Sequence, residues 1–70
     1  MYSAAVPRFY APALQPADET VALQDDEASH LVRVLRLSPG AEVRVFNGRG
    51  LERLARVELV DKRGVVLRIM

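Results

Sequence analysis

Seventy residues, half of them apolar, suffice for one small domain and no more. The absence of cysteine excludes disulfides and thiolate metal sites, and one histidine is too few for a structural zinc, which takes about four ligands. Ten Lys+Arg against nine Asp+Glu leave a formal charge of +1, so net charge alone does not mark the chain as a nucleic-acid binder.

The N-terminal "MYSAAVPRFYAPAL" holds no long apolar run behind a basic region, so it reads as neither signal peptide nor membrane span, and a cytoplasmic location is expected. Pro7, Pro12 and Pro16 favour extended chain and turns, with "RFY" (Arg8 to Tyr10) as a short edge strand that sends Phe9 inward. "TVALQ" sets Val21 and Leu23 against Thr20, Ala22 and Gln24, the alternation of a second strand.

A helix follows over "EASHLVRVLRLSPG". Gln24, Asp25 and Asp26 offer an N-cap and place negative charge at the positive end of its dipole. At about 100° per residue, Ala28, Leu31, Val32, Val34 and Leu35 share one arc, and Ser29, His30, Arg33 and Arg36 the other. Glu27 is the one charged residue near the edge of the apolar side. Pro39 and Gly40 are expected to stop the helix.

Period two then returns. "EVRVF" puts Val43 and Val45 on one face, "NGRG" is a hairpin signal, and the returning strand, about Leu51 to Val60, sends Ala55, Val57 and Leu59 inward. Its alternation breaks between Arg53 and Leu54, which predicts a bulge or bend there. "DKRG" reads as a turn with Gly64 at positive φ, and "VVLRIM" as a last strand with Val65, Leu67 and Ile69 on one face. The sum is mainly β: about five short strands and one short helix, in a small, strongly bent antiparallel sheet or barrel plugged by the helix. Met70 falls in or just after a strand, which suggests a fragment boundary.

No catalytic constellation emerges. With only His30 available, no Ser or Thr can be matched to a base and an acid, and "GRG" lacks the length and setting of a phosphate-cradling loop. The basic residues carry more. Nine of the ten cations are arginine, the side chain suited to bidentate phosphate contact and stacking, although a GC-rich genome writes the same bias. His30, Arg33 and Arg36 stand one turn apart on the polar arc, a face that can straddle phosphates; a solvated helix face accounts for the same pattern. Arg49 sits between two glycines with no packing role, and Arg8 neighbours Phe9 and Tyr10, aromatics able to stack on bases.

Taken in order, "RFY", "DDEASHLVRVLRLSPGAEV" and "FNGRG" resemble the N-terminal domain of the RsmE family, the 16S rRNA uridine-N3 methyltransferases. The resemblance runs from Arg8 to the last strand. It implies a PUA-like β-barrel over residues 1–70 that helps place ribosomal RNA, joined in the full-length protein to a SPOUT-class domain. That second domain, absent from this chain, would bind S-adenosylmethionine, transfer the methyl group and mediate homodimerisation. By position the family's motif residues fall on Arg8, His30, Arg36, Gly48 and Gly50. Many members carry a second histidine where Ser29 stands, and an aspartate at Ala41 and at Asn47.

The expectation is therefore an accessory RNA-binding domain, with no catalytic residue, cofactor or metal of its own, that contacts 16S rRNA or the small ribosomal subunit through Arg8, His30, Arg33, Arg36 and Arg49. The rival expectation is a packing module that docks on the methyltransferase domain or its dimer partner.

Overall fold

Strict alternation builds most of the sheet in the computed structural model, which describes residues 6–62 and 64–70. The first five residues of the N-terminal stretch, and Arg63 of the "DKRG" turn, lie outside the described residues. The strands are β1 (Arg8–Tyr10), β2 (Thr20–Leu23), β3 (Glu42–Phe46), β4 (Glu52–Asp61) and β5 (Gly64–Ile69). They form a single bent half-barrel in the order β1-β3-β4-β5-β2. Phe9, Val21, Leu23, Val43, Val45, Ala55, Val57, Val65 and Leu67 alternate inward and are buried. Burial of these side chains, about 1.5–3 kcal/mol for each fully buried Val, Leu or Phe and less for Ala55, is the main source of stability.

β1 and β2 lie at the two ends of the sheet, and the helix bridges them. Helix α1 (Asp25–Ser29) leaves β2 directly and reaches β1, where a Glu27 carboxylate oxygen accepts the backbone N–H of Tyr10. Glu27 is thus half-buried, as its position at the edge of the apolar arc predicts, and it satisfies a donor that an edge strand would otherwise leave unpaired. Leu31 and Ala28 plug the core from this side.

Four local expectations are corrected. β1 runs parallel to β3, with Arg8 opposite Arg44 and Tyr10 opposite Phe46, while the other strand pairs are antiparallel. The parallel pairing is possible because the connection from β1 to β3 contains β2 and the helix, long enough for a crossover. The irregularity in β4 falls between Val57 and Leu59 instead of at Arg53/Leu54. Glu58 is the extra residue there, so Leu59 turns outward at 50% exposure and Val60 packs on the core in its place. Arg53 needs no bulge: opposite Val45 on the inward side, it reaches the sheet's rim and donates to the carbonyls of Pro16 (3.1 Å) and Met70 (3.3 Å).

The third correction is the helix itself. α1 is followed by a π-helical turn, His30–Val34, marked by the Leu35 N–H donating to the His30 carbonyl at 3.0 Å. The wider turn advances each residue by less than the α-helical angle, so the projected apolar arc splits. Ala28 and Leu31 are buried, whereas Val32, Val34 and Leu35 are 37%, 66% and 37% exposed. The fourth concerns the ends. Gln24 takes the N-cap position without a side-chain cap bond. Arg36, at φ 53°, ends the helical run in left-handed conformation before Pro39 is reached, and the Leu37 N–H returns to the Leu31 carbonyl at 3.1 Å.

Candidate nucleic-acid interface

Strand β1 gathers three of the five expected contact residues. Its alternation places Phe9 in the core and Arg8 and Tyr10 on the outer face. Arg8 donates to Glu52 at 2.9 Å, and its guanidinium carbon lies 4.5 Å from the centroid of the Phe46 ring. This places a cation over an aromatic face. Arg44, beside Arg8 in the register, approaches the other oxygen of Glu52 at 3.7 Å. His30 meets the same strand from the helix, its ring edge-on to Phe9 with centroids 6.3 Å apart, and stays exposed.

Arg49 arrives through the β3–β4 loop. Asn47, which sequence reading treated as turn chemistry alone, is buried and organises this loop. Its side-chain carbonyl accepts the backbone N–H groups of Arg49 (2.7 Å) and Leu51 (3.2 Å), and its amide donates to the Leu14 carbonyl at 3.1 Å. One side chain thus ties the loop to the Pro-rich segment after β1. Gly48, at φ 76°, rests against the Tyr10 ring, where a Cβ would stand 3.1 Å from Cε1. Arg49 follows, exposed.

Arg33 and Arg36 do not join this group. Arg33 lines a groove of about 390 Å³ with Asp25, Ser29, Asp61 and Lys62, between α1 and the β4–β5 turn. Arg36 stands exposed beyond the π turn. The continuous donor face projected for the helix is therefore divided: His30 belongs with β1, and Arg33 faces the β4–β5 turn.

Sequence reasoning named Tyr10 beside Arg8 but missed Arg44 and Phe46 as members of the same surface. The signal was present, because Arg44 and Phe46 alternate with Val43 and Val45 as Arg8 and Tyr10 do with Phe9; only the β1–β3 pairing makes the two sets adjacent. Elsewhere on the sheet, Arg68 is paired with Glu58 across β4 and β5. The hydrogen bond to Glu58, then its charge, raise the Arg68 pKa above the ordinary value. Among the described residues no cluster of three or more His, Asp or Glu can hold a metal ion, and no helix is long and apolar enough to cross a membrane.

Residues 23–70 match the family model described as the RNA methyltransferase PUA domain. The fold is similar to that of a probable rRNA-methyltransferase from Porphyromonas gingivalis, at 37% identity and a TM-score of 0.79, over 93% of this chain and 26% of that one. It is similar also to ribosomal RNA small subunit methyltransferase E from Neisseria gonorrhoeae, bound to S-adenosyl methionine, at 32% identity and a TM-score of 0.77, over 93% and 27% of the two chains. A Legionella pneumophila protein in complex with the cofactor SAM matches at 30% identity and a TM-score of 0.83, over 94% and 27%. The chain thus spans about a quarter of the length of these solved structures.

Proposed function

Because the chain belongs to the RNA methyltransferase PUA domain family, we propose that it is the RNA-binding part of an enzyme that methylates N3 of a uridine in 16S rRNA. In this reading S-adenosylmethionine binding and methyl transfer reside in a further domain of a longer, homodimeric, cytoplasmic protein, and this chain positions the RNA. Similarity to the Neisseria enzyme supports that assignment.

The observation that carries it is the convergence on β1: Arg8 lies in the strand, His30 touches it, and Arg49 enters on the loop packed against it. All three side chains are exposed, as is the aromatic Tyr10, with His30 reaching the strand through its inward residue Phe9. Arginines of this kind hold phosphates, and aromatics hold bases. Arg33, in the groove facing the β4–β5 turn, and Arg36, beyond the π turn, are the further basic contacts of this reading.

Fluorescence anisotropy of a labelled single-stranded 16S rRNA segment tests this directly. Binding is expected to fall steeply with added salt, and Arg33→Ala plus Arg36→Ala to lower the slope of log K against log salt by about 0.7 per lost phosphate contact. Equal affinity and slope for the double variant would remove the helix residues from the interface.

A second reading has its own support. Val32, Val34 and Leu35 form an exposed apolar edge on the helical segment, suited to docking on the remainder of a longer protein or on its dimer partner. The two surfaces differ, and the chain can use both.

A further inference from the structure

The outer face of β1 and β3 carries an aromatic pair that the core does not use. Tyr10 stands opposite Phe46 in the register, with ring centroids 5.5 Å apart and planes inclined at 42°. Their inward neighbours Phe9 and Val45 already close the core at 0% exposure, while Tyr10 remains 45% exposed. Arg8 occupies one side of Phe46, fixed there by its bond to Glu52. The loop is shaped to the same pair: Gly48 lies against the Tyr10 ring, and any Cβ there would press on Cε1 at 3.1 Å in a backbone conformation that favours glycine.

We propose that the Tyr10–Phe46 pair, framed by Arg8 and the Gly48–Gly50 loop, is a stacking site for one unpaired nucleobase. The inference rests on the RNA-binding reading above and adds which part of the RNA is held. Every base presents a π-face, so the site is tolerant of sequence but demands a base out of its helix. Glu52 is shared between Arg8 and Arg44, so Arg8 keeps the phosphate-contacting role given above while it also positions Phe46. The phosphate next to the stacked base falls to Arg49, which has no ion pair among the described residues.

The 70-residue chain contains two tyrosines and no tryptophan, so a Tyr2→Phe background leaves Tyr10 as the single emitter. Titration with a single-stranded RNA of about eight nucleotides is expected to quench Tyr10, and the same sequence as a duplex to leave it bright. Tyr10→Leu and Phe46→Leu are each expected to weaken single-strand binding about tenfold, with Tyr10→Phe close to the parent. Tyr10→Leu should keep the salt slope of the parent, whereas Arg49→Ala should lower it by about 0.7. Single-strand binding that leaves Tyr10 unquenched, or a folded Tyr10→Leu that binds as the parent does, overturns the stacking site while RNA binding stands. Failure of the chain to bind either form at low salt overturns both. The quenching measurement uses the native Tyr10 side chain, so it decides even where a leucine variant does not fold.

Discussion

Two surfaces of this chain carry charge beside apolar side chains, and they reach that state by opposite routes. On the outer face of β1 and β3, period-two alternation places Arg8, Tyr10, Arg44 and Phe46 together, backed by a closed core on the other side of the same strands. On the helical segment, the π turn rotates Val32, Val34 and Leu35 out of the core they would reach in a regular α-helix and separates His30 from Arg33. A strand face is specified residue by residue, since any one-residue slip exchanges inside for outside. A helical face depends on every turn before it.

Substitutions can break this comparison in order of size. Phe9→Ala on the inner side of β1 is expected to cost about 3–5 kcal/mol. That is comparable to the whole stability of a domain this small, roughly 3–5 kcal/mol, so urea titration should find it largely unfolded. Leu31→Ala, the deepest helical contact, is expected to cost about 2–5 kcal/mol. Asn47→Ala leaves the Leu14 carbonyl and two loop N–H groups without their partner and should lower stability by about 1–3 kcal/mol in the same titration.

Smaller effects separate folding from binding. Arg36→Gly relieves a left-handed non-glycine residue, so its thermal midpoint is expected to match or exceed that of the parent. Its RNA affinity should nonetheless fall, with the salt slope lower by about 0.7. Val34→Ser is expected to change stability by no more than about 0.5 kcal/mol, because the side chain is 66% exposed. A large loss at Val34 would mean that the apolar edge is covered in solution.

The parts of the fold that depend on alternation were legible in the sequence: Phe9 inward, Val21 and Leu23 inward, and the faces of β3 and β5. What was not legible depended on contacts distant in sequence or on backbone geometry. The parallel partner of β1 lies beyond the helix. The break at Arg53 looked like a bulge because an inward arginine is rare, yet its length carries the guanidinium to two rim carbonyls. The bulge that does occur, at Glu58, lies inside a run that alternates without fault. For the candidate site, Arg8, Arg49 and Tyr10 could be named from the sequence, but Arg44 and the pairing of Tyr10 with Phe46 could not. Tyr10 and Phe46 are 36 positions apart, and only the register makes them neighbours.

The central claim is that RNA engages this chain around β1. Amide chemical-shift mapping of the 70-residue chain with a single-stranded 16S rRNA segment tests it most directly. The account predicts salt-sensitive shifts at Arg8 to Tyr10, Phe46 and Gly48 to Gly50, with His30 moving alongside them. Shifts confined to the helical segment and the β4–β5 turn, or no shifts at all, would contradict it.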